Sequence, residues 1–129
     1  MAFEAMRDTR QTITAYWASA NARDWNAFAD LVAEDVVYEL PQTRERVRGR
    51  SAFVRFNAEY PGEWRVEVER LVADGQHAAT WGRSLLNGGE ETGLCFFDLD
   101  DEGRIARITD FWPTGYEPPA GREHLVERY

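Results

Sequence analysis

The sequence predicts an α+β fold in which helices pack on one face of an antiparallel sheet. Three observations predict it. Apolar residues recur at helical spacing as far as about Tyr60, and they alternate at period two from Trp64 onward. The second half is punctuated by the turn signals Asp74-Gly75, Asn87-Gly88 and Asp100-Asp-Glu-Gly103. At 129 residues the chain reads as a single domain, 1–129, large enough for a core without staples.

The first helix is expected from Phe3 to about Ala20, with Phe3, Met6, Ile13, Tyr16, Trp17 and Ala20 on one stripe. Asp24 is a natural N-cap for a second helix carrying Trp25, Phe28, Ala29, Leu31 and Val32, which ends at Glu34-Asp35. Val36–Leu40 is β-branched and aromatic and reads as a short strand stopped by Pro41, with Val36, Tyr38 and Leu40 on one face. Gln42 to Arg48 is polar. Gly49 leads into a third helix near Arg50–Tyr60, apolar at Ala52, Phe53 and Phe56 and ended by Pro61-Gly62.

Four strands follow. The first carries Trp64, Val66 and Val68, the second runs from Ala78 to Leu86, and Asn87-Gly88 is a strong hairpin signal into a third from Glu91 to Leu99. The last spans Arg104–Pro113, with Ala106, Ile108, Asp110 and Trp112 on one face and Ile105, Arg107, Thr109 and Phe111 on the other. Residues 114–129 contain Pro118-Pro119 and Gly121 and read as a loop-like tail that could form a strap, with at most a short helix at Glu123–Glu127.

Composition narrows the function. The net charge of −8 repels phosphate backbones and anionic bilayers, so neither nucleic acid nor membrane is an expected partner. The N-terminus is charged at Glu4, Arg7 and Asp8, without the apolar stretch of a signal peptide. A single cysteine, Cys95, excludes an internal disulfide and fits a reducing compartment, so the expected location is the cytoplasm. His77 and His124 stand apart in a turn and in the tail, so no metal site is expected. Aromatic residues make up 13% of the chain, which implies an aromatic core or rings lining a cavity.

Ala22-Arg-Asp-Trp25 with Phe28 and Leu31, Glu34-Asp-Val-Val37, Arg48-Gly-Arg50, Asp101-Glu-Gly-Arg-Ile105 and Asp110-Phe-Trp112 together resemble the NTF2-like superfold, and within it the SnoaL-like polyketide cyclase group. The resemblance covers nearly the whole chain and rests on fold-determining positions. It implies a cone of three N-terminal helices on a curved antiparallel or mixed sheet, a pocket between them, and a homodimer made through the convex sheet face. It also implies a small hydrophobic ligand, with no cofactor and no metal. The fold hosts several chemistries, so function must come from the site.

Three enzyme patterns of that superfold can be laid on the chain. Against the ketosteroid isomerases, Tyr16 resembles the oxyanion tyrosine, but Leu40 stands where the general base would be and Cys95 where a second acid would be. Against the limonene-type epoxide hydrolases, Tyr38, Arg83 and Asp110 resemble pocket positions, while Leu85 and Leu40 replace the second aspartate and the water-holding asparagine. Against the SnoaL-type cyclases, Asp110 resembles the last-strand acid of aldol ring closure. The resemblance therefore implies Asp110, Arg83, Tyr38 and Tyr16 as the catalytic candidates, with Trp17, Leu40, Phe56, Trp81, Leu85, Cys95, Phe97 and Trp112 lining the substrate site. It implies a cyclase or isomerase, with epoxide hydrolysis the weaker alternative and a non-catalytic ligand-binding module or dimeric scaffold the other.

Alternation groups Trp81, Arg83 and Leu85 together and Cys95 with Phe97, and all five are expected on the concave side. An acid between Ile108 and Trp112 is either a working carboxylate or one half of a structural pair with Arg83. Desolvation would raise its pKa; an adjacent guanidinium would lower it. Cys95 reads as a small buried residue, with no histidine placed to activate it. Arg44, Arg46, Arg48, Arg50 and Arg55 could bind an anionic group or form a charged sheet edge that resists aggregation.

Overall fold

The computed structural model describes residues 7–129. Helix α1 runs over Thr9–Ala22, α2 over Trp25–Asp30 and α3 over Arg50–Ala58. The strands are β1 Val32–Leu40, β2 Glu45–Arg48, β3 Trp64–Asp74, β4 His77–Leu86, β5 Gly89–Leu99 and β6 Ile105–Phe111. They form one curved sheet in the order β2-β1-β6-β5-β4-β3, antiparallel except for the central β1–β6 pair, which is parallel. The helices lie on its concave face, giving the cone-like α+β arrangement. No helix of the described residues is long and apolar enough to cross a membrane.

The helix starts follow capping chemistry. The Asp8 carboxylate accepts from the Gln11 backbone N–H at 2.8 Å while the Gln11 side chain accepts from the Asp8 N–H at 3.0 Å. This box starts α1 at Thr9, after the expected Phe3; the Phe3 to Met6 part of that expectation lies outside the described residues. Helix α2 is shorter than the sequence suggested. Leu31, Val32 and Ala33 are all buried, and the Leu31 carbonyl accepts from the Ile105 N–H at 2.9 Å, so the chain leaves the helix early to join β6. The exposed Glu34-Asp35 pair then falls in a register shift between Val32 and Val37, within one long strand.

The polar stretch after Pro41 contains the edge strand β2, with Arg46 opposite Glu39 and their side chains 2.7 Å apart. Arg50 donates to the Val32 carbonyl and Arg55 pairs with Glu59, so three of the five arginines in this region are held by the protein itself. The opposite edge, β3, is covered by α1. Asn21 donates to the Val66 carbonyl at 2.7 Å and accepts from the Val66 N–H at 2.9 Å, and Arg10 donates to the Leu71 carbonyl. These side chains satisfy strand groups that would otherwise template pairing with another chain.

The core lies between the helices and the concave face. Ile13, Phe28, Val32, Val36, Phe53, Ile105 and Ile108 are fully buried there. Ile105 corrects the expected alternation of the last strand. Leu99 pairs with Ile105 and Asp98 with Arg107, so Ala106 is an extra residue at a bulge and both isoleucines face inward. Beyond β6 the tail contains one 3-10 turn, Glu123–Leu125, and Tyr116 and Leu125 are exposed.

Candidate functional site

The concave face is not filled at its open end. A cavity of about 90 Å³ remains there, roofed by Tyr16 and Trp17 of α1 and by Phe56 and Asn57 of α3. Its floor is made of strand side chains, among them Tyr38, Thr80, Cys95 and Asp110, with Tyr60, Glu91 and Trp112 toward the opening. Each reaches the cavity for a local reason. Asp110 follows the buried Ile108 by two residues on β6, so it shares the inward face. Cys95 pairs with Asp110 directly across β5 and β6. Trp112 stays in register past the end of β6 because the Gln42 side-chain amide mimics a strand, donating to the Trp112 carbonyl at 2.8 Å and accepting from its N–H.

At the floor one carboxylate gathers two donors. The Tyr38 hydroxyl donates a hydrogen bond to Asp110 Oδ2, and the Cys95 thiol donates to Oδ1 at 3.1 Å. Asp110 is only 9% exposed, and burial raises its pKa above the usual carboxylate value while the Tyr38 and Cys95 hydrogen bonds partly offset the rise. Burial, with the nearby Asp110, pushes the Tyr38 hydroxyl well above the usual phenol range. Tyr16 is raised in the same way, by burial first and then by Cys95 and Asp110, so both phenols stay protonated. The Cys95 thiol is also raised, chiefly by burial and then by Asp110, which keeps it a thiol and a poor nucleophile. The Tyr16 ring is wedged between Phe28 at 4.9 Å and Phe97 at 5.3 Å, which fixes its position at the cavity roof.

Seven of the expected site residues line this cavity: Tyr16, Trp17, Tyr38, Phe56, Cys95, Asp110 and Trp112. Two others, Leu40 and Phe97, face the same side but are spent in the core at 2% and 1% exposure. The placement of the remaining three is corrected. Trp81, Arg83 and Leu85 point to the convex side, and their neighbours Thr80, Gly82, Ser84 and Leu86 face the cavity. The Arg83 guanidinium is 2.6 Å from Glu67, 2.7 Å from Glu90 and 3.7 Å from Glu69, with no contact to Asp110. Trp81 is 45% exposed with the Arg70 guanidinium over its ring.

The physical reason is the hairpin register. Asn87 and Gly88 both have positive φ, as a two-residue turn of this type requires, and the turn pairs Leu86 with Gly89. That register sets Thr80 opposite Cys95 and Trp81 opposite Leu94. Residues directly opposite in a sheet share a face. If Cys95 points inward, so does Thr80, and Trp81 cannot. The signal that finds Thr80, Gly82, Ser84, Glu91 and Gly93 was therefore already in the sequence, in the turn rather than in the strands.

Among the described residues no group of three or more histidine, cysteine, aspartate or glutamate side chains could hold a metal ion. What the site offers is a buried carboxylate able to exchange a proton, two phenols able to donate, and apolar walls.

The model of the SnoaL-like domain matches residues 13–108, about three quarters of the chain. The chain belongs to the SnoaL-like family. The matched span contains Tyr16, Tyr38 and Cys95 and ends two residues before Asp110. Among solved structures, the chain is 51% identical to a protein named "putative ketosteroid isomerase" from Kribbella flavida DSM 17836. The alignment covers 94% of this chain and 89% of that one, with a TM-score of 0.91. An NTF-2 like protein of unknown function from Burkholderia xenovorans LB400 aligns over 94% of both chains at 24% identity and a TM-score of 0.80. An LEH-like epoxide hydrolase from M. tuberculosis aligns over 81% of this chain and 82% of that one, at 22% identity and a TM-score of 0.71. The last two likenesses carry the NTF2-like fold alone. No curated protein matches the chain.

Proposed function

We propose that this SnoaL-like protein is a cofactor-independent enzyme that moves a proton on a small hydrophobic, oxygenated substrate, with Asp110 as its acid and base. The observation that supports it most is Asp110 itself, a nearly buried carboxylate on the floor of an apolar cavity with a raised pKa. Ionised Asp110 takes a proton from a carbon next to a substrate carbonyl. Electron density moves onto the carbonyl oxygen, which accepts a hydrogen bond from the Tyr16 hydroxyl. Tyr38 holds Asp110 Oδ2 in place throughout. The proton then returns at a second carbon, giving isomerisation. Alternatively the enolate carbon attacks a second carbonyl carbon and that oxygen receives the proton, giving ring closure.

The test needs no knowledge of the natural substrate. Small ketones are incubated with the protein in D₂O, and deuterium uptake at the α-carbon is followed by mass spectrometry. Catalysed exchange is expected, with Asp110→Asn slower by roughly the 10²–10⁴-fold typical of losing a general base. Equal rates for the two proteins would sink the proposal.

The competing reading is a module that holds an apolar ligand without reacting it. What favours it is that both Asp110 oxygens already have donors, as a purely structural carboxylate would. A ligand released on denaturing the purified protein, bound equally well by Asp110→Asn, would select this reading. In either case we propose a homodimer formed through the convex face, where Val72, Trp81 and Phe96 are exposed at 63%, 45% and 53%. A monomer in sedimentation at micromolar concentration would refute the dimer.

A further inference from the structure

Resting on that reading of the cavity, we infer that its ligand is an uncharged molecule about one ring in size, and that Gly93 sets the size limit.

Charge is the first argument. The residues lining the cavity include two carboxylates, Asp110 on the floor and Glu91 toward the mouth, and no arginine or histidine. An anionic ligand would face a desolvated carboxylate with no counter-charge within the site, an expensive arrangement in an apolar enclosure. A carboxylate or phosphate on the substrate is therefore excluded from the cavity. A ketone, ester or ether oxygen is compatible with the hydroxyl donors present.

Size is the second. A volume of about 90 Å³ is below the roughly 150 Å³ of an apolar cavity that accommodates benzene. A single ring fills the cavity with its outer edge at the mouth beside Tyr60 and Glu91. A fused polycycle does not enter.

The third argument singles out Gly93. Gly82 and Gly93 face each other across the β4–β5 hairpin, and both line the cavity. Gly82 has a packing reason to be glycine, since a Cβ there would come within 3.2 Å of the Glu67 carbonyl oxygen and of Val66 Cγ1. Gly93 has none. A Cβ there would meet no atom within 4 Å, and its φ is outside the left-handed region. Glycine weakens a strand interior, and close approach of a ligand is one of the uses that offset this cost. Gly93 is two residues from Cys95 on the inward face, about 7 Å along the strand. A ring seated over it lies within reach of the carboxylate that Cys95 contacts. A methyl group there would occupy space about the size of one water molecule over the strand.

The experiment is a tryptophan-fluorescence titration, using Trp17, Trp64 and Trp112 as reporters, with cyclohexanone, 2-decalone and cyclohexanecarboxylate as probes. The proteins are wild type, Gly93→Ala, Gly93→Val and Glu91→Gln, each checked for wild-type circular dichroism. Wild type is expected to bind cyclohexanone at least about tenfold more tightly than either other probe, the discrimination that about 1.4 kcal/mol gives. Gly93→Val is expected to weaken cyclohexanone at least about tenfold by the same measure. If valine prevents folding, Gly93→Ala carries the test with weakening of at least about threefold. Glu91→Gln should tighten cyclohexanecarboxylate relative to cyclohexanone. Smaller ratios, or no binding of cyclohexanone at millimolar concentration, overturn the inference. Binding needs no turnover, so the expected size and charge selection alongside equal exchange rates for wild type and Asp110→Asn would refute the acid–base proposal and leave this one standing.

Discussion

Replacing Tyr38 by phenylalanine removes one hydroxyl and keeps the ring that packs on Phe53 at 4.9 Å and on Phe56 at 5.3 Å. The change therefore isolates the hydrogen bond from Tyr38 to Asp110. That bond supports the ionised carboxylate and works against burial, which raises the Asp110 pKa. A hydrogen bond to a charged group contributes about 1.5–3 kcal/mol. The Asp110 pKa should therefore rise further in Tyr38→Phe. The sign for stability follows. A carboxyl whose pKa is higher folded than unfolded contributes fully below the unfolded value of about 3.9 and loses that contribution as pH rises through the folded value. In Tyr38→Phe the folded pKa is higher still. The stability gap from wild type should be small in acid and open as pH rises to neutral, reaching about 1.5–3 kcal/mol. The assay pairs a ¹³C-carboxyl NMR titration of Asp110 with urea unfolding at several pH values. An Asp110 pKa that stays put or falls in Tyr38→Phe, or a gap that is widest in acid, would refute the reasoning.

Three other perturbations test the architecture around the site. Arg83→Gln should leave the Asp110 titration and the α-proton exchange rate unchanged, because Arg83 is engaged with Glu67, Glu69 and Glu90 on the other face; a moved Asp110 titration would restore Arg83 to the site. Asn21→Ala strips both hydrogen bonds from Val66 on the edge strand, so urea melts should show a loss of about 1–3 kcal/mol and light scattering should show faster aggregation. Phe53→Ala empties a fully buried position stacked on Phe28 at 5.4 Å; a cost of about 3–5 kcal/mol is expected in the same melts, and a cost below 1 kcal/mol would mean that the core closes over the gap.

Local pattern in the sequence carried much of this molecule. Period-two alternation put Tyr38 and Leu40 on the buried face of β1 and Asp110 with Ile108 on the buried face of β6, and the structure places them so. The Asn87-Gly88 and Asp74-Gly75 turns fall where the dipeptides indicated, because positive φ is a local demand that few residues meet. A strand taken by itself leaves one choice open. Alternation says which residues share a face; it does not say which face points inward. Trp81, Arg83 and Leu85 do share a face, and it is the convex one, since such side chains suit an exposed convex surface as readily as a cavity wall.

By itself, then, the sequence determined the α+β class, the order of helices and strands, and a carboxylate, Asp110, on the same strand face as Ile108, all of which follow from local period, turn chemistry and burial preference. The tertiary structure decided what that carboxylate meets. Only the pairing of β5 with β6 brings the Cys95 thiol onto it, and only the parallel pairing of β1 with β6 brings the Tyr38 hydroxyl within reach. Those contacts join residues 15 and 72 positions apart, so sheet register, rather than neighbouring sequence, makes the carboxylate's environment. The same register leaves Gly93 open to the cavity and sends Arg83 to the other face.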